Sequence, residues 1–345
     1  MATDTLYRSH NFAFFDAHHW EDWVELCCIA SLDGEADVAG IAERLRQERD
    51  TRGKSEPPEN DAPDGEETNG DELEVGESEG LLAQAAWATE PDKRTLQVKD
   101  WFLSLASRAR LLGDNYPFVV SADNAKLNLR ANSTDAHRLY IALLMMANLH
   151  YFQGMQADLT SSFESIGASV FSWLLPAHAT VHRFGKGIGN TGRYQGHVWD
   201  KLKLLADDLS CGIKCRKDQY AANDTGDDGL DLVGWVPWQD SASGRLLLLG
   251  QCACTPNWVS KQHAVSVGTW NSKIEFVTNP LPVILIPYFL RTNSGGWHGA
   301  TDFAGHLIVD RLRFLRILGA NAANLMHLPA FGHVNTCLTT KEGAF

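Results

Sequence analysis

The stretch from Leu230 to Leu290 sets the tightest limit on how this chain folds. It holds three short apolar runs, LDLVGWV (230–236), RLLLLGQCA (245–253) and PVILIPYFL (282–290). Runs this short, bounded by glycine, proline and acidic residues, have the length of buried strands rather than of long helices. Residues Gln239–Gly244 between the first two read as a hairpin turn. A helix is predicted from about Asn257, and the third run reads as a buried strand despite its two prolines. Upstream, Ser161–Leu175 has an amphipathic helical pattern, with Ser161 or Ser162 placed to cap it. A glycine-rich loop, Gly185–Gly196, and a helix over Trp199–Leu209 follow. His306–Leu318 reads as a strand turning into a helix. The fold class predicted for this half is α+β / α/β, a mixed sheet flanked by helices.

The first half reads differently. Trp20, Trp23, Val24, Cys27 and Cys28 recur at helical spacing within residues 11–49, and a second helix is predicted from about Ala36 to Arg49. Residues 81–112 resume that pattern through Trp101, Phe102, Leu105 and Ala109. YPFVV (116–120) is β-like, and residues 137–152 form an apolar helix. Two domains are therefore expected, a helical one over 1–155 and the sheet domain over 156–345. An insert at 51–80 is rich in Glu, Asp, Gly and Pro, and such a segment cannot offset the entropy of ordering it, so disorder is expected there.

The net charge of −13 argues less than it first suggests. Eleven acids lie between Glu56 and Glu79 with no Lys or Arg among them, and without them the charge falls to −2. A near-neutral body does not exclude an anionic partner. Other classes are excluded more firmly. With 44% hydrophobic residues and 11 Trp, the chain has ample material for a core. No run nears the roughly 18 apolar residues of a membrane helix, so no membrane association is expected. The N-terminal residues lack the pattern of a signal peptide. Seven cysteines, an odd and sparse number, read as reduced thiols in a cytoplasmic protein.

The chemistry-bearing stretch is GDDGLDLVGW followed by LLLLGQCACTPNW. Side chains alternate along a strand, so Gln251 and residue 253 share a face. A hairpin brings Asp231, at the start of one strand, beside Gln251 on the next. A carboxylate, an amide oxygen and a strand carbonyl are hard ligands of the kind Mg²⁺ accepts. A lysine two residues after the glutamine would complete a hydrolytic site by stabilising charge.

These residues resemble the PD-(D/E)XK, or restriction-endonuclease-like, phosphodiesterases over residues 160–320. The family core runs α-β-β-β-α-β. Its helix glutamate is matched by Glu164 in SSFESIGASVFSWLLP, its aspartate by Asp231 in GDDGLD, and the first position of its (D/E/Q)xK motif by Gln251. The resemblance implies a Mg²⁺- or Mn²⁺-dependent endonuclease that cuts double-stranded DNA in prokaryotic defence, with Glu164, Asp231 and Gln251 as metal ligands. The helical first domain would then dock a partner, such as an ATPase or another subunit of a defence complex. One departure stands out: the family lysine falls at position 253, which is Ala253. Three readings are open. The lysine was replaced in an inactive variant that Ala253→Lys would restore. The fold naturally lacks it and serves as a binding or assembly module. Or the lysine has moved to the following helix, as Lys261.

Each element also has an ordinary explanation. A lone aspartate in a glycine loop is commonly a turn former, and Asp228 is assigned to the loop rather than to a second metal. Cys211, Cys215, Cys252 and Cys254 have poor spacing for zinc and read as core thiols. The glycine-rich loop lacks P-loop spacing. Arg311, Arg313 and Arg316 are candidates for phosphate contacts or for a solvated helix stripe.

Overall fold

The computed structural model describes residues 17–52, 91–184 and 192–340. Residues 53–80 of the acidic insert and 185–191 of the glycine-rich loop lie outside the described residues. Two compact units interleave along the chain. One takes the residues up to Arg110, then Phe118–Ala131 and the residues from Thr336. The other takes Leu111–Pro117 and Asn132–Asn335. Residues 132–155, expected with the helical region, belong to the second unit.

The sequence predicts a helical first region, but the first unit also contains a small sheet. Its helices α1 (Ala17–Ala30), α2 (Val38–Arg52) and α3 (Pro91–Leu112) accompany strands β1 (Glu35–Asp37), β2 (Phe118–Val120) and β3 (Lys126–Leu129). The strands form an antiparallel sheet in the order β1-β3-β2. Gly34, at φ 65°, turns the chain out of α1 into β1, so the second helix starts at Val38 rather than Ala36. The apolar stripe of α1 is buried as its spacing requires: Trp23, Val24, Cys27 and Cys28 are fully enclosed. Trp20 stacks on Trp101 with centroids 4.8 Å apart.

The second unit opens with α4 (Asp135–Ala147), where Thr134 and His137 form a reciprocal capping box. Helix α5 spans Gln156–Leu174, beginning a turn before the serines expected to cap it. Ser162 is instead buried, and its Oγ accepts the Ala330 N–H. Then come β4 (Thr180–Arg183), α6 (Val198–Asp208), β5 (Gly212–Ile213), β6 (Leu232–Trp235) and β7 (Leu247–Cys252). They are followed by α7 (Trp258–Lys261), α8 (Val267–Asn271), β8 (Ile274–Glu275), β9 (Leu281–Leu285) and β10 (Leu307–Val309). Helices α9 (Arg311–Leu318) and α10 (Pro329–Thr340) close the sequence. Five strands pair in the order β10-β9-β7-β6-β4. Strand β6 runs antiparallel to both its neighbours, β4 and β7, while β7, β9 and β10 are parallel to one another. Strands β5 and β8 form a small separate pair. Among the described residues, no helix is long and apolar enough to cross a membrane.

Helix α5 lies hard against the sheet. A Cβ on Gly250 would sit 2.6 Å from Phe171 Cζ, and one on Gly234 would sit 2.8 Å from Leu175 Cδ1. This approach fixes α5 over β6 and β7. Gly250→Ala is expected to cost about 1–3 kcal/mol by overpacking, read as a lower denaturation midpoint with an unchanged m-value.

Arg311 is neither a phosphate contact nor part of a solvated stripe. It is fully buried, donates from Nε to the Pro287 carbonyl at 2.8 Å and stacks its guanidinium on Tyr140. Arg313 donates to the Ile308 carbonyl.

Candidate active site at the end of the mixed sheet

Strands β4 and β7 end, and β6 begins, at one end of the five-stranded sheet. Asp231 stands just before β6. Its N–H donates to the Gly250 carbonyl at 2.9 Å, and its own carbonyl accepts the Phe184 N–H at 2.7 Å. Neighbouring backbones on both sides thus fix its position. The residue is 7% exposed. The Oδ2 atom accepts two hydrogen bonds, from Gln251 Nε2 at 2.6 Å and from the Cys252 N–H at 2.7 Å. Asp231 and Gln251 are therefore in direct contact, as the hairpin reading expects.

The loop before Asp231 is tightly built. Asp224 Oδ1 accepts the Gly226 N–H at 2.8 Å, and Asp227 Oδ1 accepts the Gly229 N–H at 2.9 Å. Both are local side-chain turns that suit aspartate. Asp228 and Gly229 both have positive φ, 55° and 78°. At Gly229 a Cβ would lie 2.5 Å from Ala264 Cβ, so no other residue fits without displacement. The buried Lys201 grips the loop, donating from Nζ to the carbonyls of Thr225 at 3.1 Å and Gly226 at 2.8 Å. Asp228 pairs with Lys273 at 2.8 Å and accepts from the Tyr220 hydroxyl. It belongs to the loop, and its neighbour Asp227 is the acid whose charge reaches the site.

Glu164 projects from α5 and meets Arg183, the last residue of β4. Arg183 donates to Glu164 Oε2 from Nη2 at 2.6 Å and from Nε at 3.1 Å. The same guanidinium donates to Ser165 Oγ at 3.0 Å and to Ser161 Oγ at 3.3 Å. Both members of the ion pair are less than one-fifth exposed.

Acid crowding and burial perturb the carboxyls. Burial pushes the Asp231 carboxyl up to about 7, and repulsion from Glu164 and Asp227 adds to it. The Cys252 N–H and the Lys261 ammonium oppose that rise. Burial also raises Glu164, and its pairing with Arg183 only partly offsets this. A strongly raised carboxyl at a sheet end, Asp231, marks a candidate site.

Lys261 ends α7, half-buried, and it has no ion-pair partner among the described residues. Its charge is nevertheless felt at Asp231. Ala253 is 0% exposed and belongs to an apolar cluster that includes Trp258, Val265, Ile286 and Tyr288.

A divalent metal would find hard oxygens here but not a coordination set. Among the described residues, no three His, Cys, Asp or Glu side chains stand close enough to hold one. Arg183 occupies Glu164, and Gln251 turns its amide nitrogen toward Asp231. As arranged, these residues do not fit the metal the resemblance implies. The described cysteines are free thiols, and burial raises the Cys252 and Cys254 thiols well above the usual range.

Two residues here escape the sequence reading. Asp227 was masked by its neighbour Asp228, since only the backbone turn decides which acid faces the site. Arg183 lies on a half-buried edge strand whose residues, TVHR, carry no apolar alternation. Comparison with known proteins finds no matching family model, no matching curated protein and no matching solved structure.

Proposed function

We propose that the chain is a phosphodiester hydrolase of the PD-(D/E)XK kind acting on double-stranded DNA, with Lys261 in the role of the family lysine. One observation carries this reading. Within the five-stranded sheet, α5 precedes three strands in antiparallel succession, β4, β6 and β7, with α6 and β5 inserted after β4; short helices, β8 and the parallel strand β9 follow, and Asp231, just before β6, is bonded to Gln251 on β7. That order, apart from the inserted α6 and β5, resembles the α-β-β-β-α-β core with its acid and amide at the motif positions, and this supports the reading. The charge of Lys261 at Asp231 and the apolar burial of Ala253 favour the moved lysine over a loss at 253.

In this reading Gln251 and the Cys252 N–H orient the Asp231 carboxylate. Its raised pKa lets it take or hold a proton near neutral pH. Lys261 supplies positive charge where the phosphoryl oxygens accumulate negative charge. Mg²⁺ or Mn²⁺ is the cofactor that the resemblance implies, although the side chains as arranged do not fit it. A role as a defence effector in the cytoplasm, with an ATPase or another complex subunit docking on the first unit, belongs to the same proposal.

The test is plasmid cleavage with Mg²⁺ or Mn²⁺, comparing the chain with Asp231→Asn. Cleavage that the variant lacks supports the hydrolase. A second reading, a catalytically dead binding or assembly module, draws on the Arg183 guanidinium, which already neutralises Glu164. DNA retained in a gel shift without cleavage by either form supports that reading.

A further inference from the structure

We propose that Lys201 and Lys273 are positioning residues of the site, a two-sided clamp that holds the loop 224–230 in the conformation from which Asp231 meets Gln251. The inference rests on the hydrolase reading and deepens it. It gives the inserted elements α6, β5 and β8 a task, the support of Asp231.

The loop has physical reasons not to keep this shape alone. Asp224, Asp227 and Asp228 lie close together in sequence just before Asp231, and like charges so near repel. Asp228 is left-handed at φ 55°, an unfavourable conformation for a residue with a side chain. The turns made by Asp224 and Asp227 bond only within the loop, so they shape it without tying it to the sheet.

Two lysines from different elements tie it down. Lys201 on α6 is 3% exposed, and its Nζ donates to the carbonyls of Thr225 at 3.1 Å and Gly226 at 2.8 Å. A lysine is seldom buried so deeply. The start of the same helix holds the loop again, where the Val198 N–H donates to the Asp224 carbonyl at 3.0 Å. Lys273, between α8 and β8, sets Nζ 2.8 Å from Asp228 Oδ2 and donates to the Asp228 carbonyl at 3.4 Å. Its own carbonyl accepts the N–H groups of Lys214 and Cys215, so the β5–β8 pair braces it. One lysine thus grips the loop before Asp227 and the other after it. The Leu230 N–H then closes onto the Asp227 carbonyl at 3.0 Å, immediately ahead of Asp231.

The experiment is amide hydrogen exchange on the full chain without DNA, comparing it with Lys201→Met, Lys273→Met and the double variant, followed by steady-state cleavage of duplex DNA with Mg²⁺. Losing a charged donor is expected to speed exchange at Gly226, Gly229 and Asp231 about tenfold or more. Leu249 and Val283, inside the sheet, should change by less than about twofold, since the opening is local. A lysine that only stabilised the fold as a whole would speed all of these together. In cleavage, kcat is expected to fall about 10²-fold, the scale of a misplacement of about 1 Å, with KM within about threefold. Lys201→Arg keeps a charged donor and is expected to restore most of the protection. If Lys201→Met does not fold, Lys273→Met carries the test, because that side chain is 12% exposed. Unchanged exchange in the loop, or equal acceleration in loop and sheet, overturns the clamp and leaves the hydrolase reading intact. A loosened loop with unchanged kcat overturns the positioning role. A loop loosened locally, with no cleavage by any form including the wild type, upholds the clamp and removes the hydrolase reading.

Discussion

Asp231→Asn is expected to abolish DNA cleavage while making the protein more stable above neutral pH. The two effects have one cause. Burial, with Glu164 and Asp227 nearby, holds the native carboxyl at about 7, against 3.8 for an unperturbed aspartate. The native state therefore binds this proton more tightly than the unfolded chain does. The resulting stabilisation is complete below about pH 4 and is lost as pH rises through about 7. By pH 8 the wild type bears a buried, crowded carboxylate. A shift of this size corresponds to at most about 4 kcal/mol, and relaxation reduces the realised difference. Asparagine keeps an Oδ1 that accepts from Gln251 and Cys252 and carries no charge. Melting temperatures from pH 5 to pH 8.5, taken in chelator, should diverge as pH rises, with the variant higher by several degrees at the alkaline end. A variant that is less stable at pH 8 would show that the carboxylate is held by attractions rather than strained by burial. A site that is destabilising and indispensable is what function, not folding, retains.

The sheet was legible where its strands are buried on both faces. LVGW and LLLGQC carry β-rich apolar residues between turn signals, so β6 and β7 fall inside the predicted runs. The edge strand β4 was not legible, because its residues are all half-buried and mostly polar. The short strands of the first unit were hidden for another reason. Glu35–Asp37 sits between two helices with only three residues, too few for any period to show. The pairing of Asp231 with Gln251 followed from strand alternation and a hairpin. The Arg183–Glu164 pair joins residues 19 apart on different elements, and no local spacing rule reaches it. Arg311 misled for a related reason. Its sequence context is an Arg-rich helix start, while its partners include the Pro287 carbonyl and Tyr140, the latter 171 residues away.

The two candidate lysine positions separate most sharply by substitution. Residue 253 follows Gln251 at strand spacing, and alternation alone places a lysine there on the face of the ligands. Ala253 belongs to the apolar cluster that also holds Trp258, Val265, Ile286 and Tyr288, and it has no exposure. Strand β7 has already ended at Cys252, and the Ala253 N–H is bonded to the Leu285 carbonyl. A lysine at 253 would place its stem in a filled apolar space and leave its ammonium to find Asp231 or remain buried without a partner. Ala253→Lys is therefore expected to destabilise the fold by about 3 kcal/mol or more and to leave cleavage no faster. Lys261, at the end of α7, is half-buried and without an ion-pair partner among the described residues, and its charge acts on Asp231. Lys261→Ala is expected to slow cleavage by about 10²- to 10³-fold, the scale of losing one charge-stabilising donor. Its melting temperature should stay within a few degrees, since a half-buried lysine without a partner contributes little to folding. The measurement is single-turnover cleavage of a plasmid alongside thermal melts of both variants. Faster cutting by Ala253→Lys with full activity in Lys261→Ala would return the lysine role to position 253.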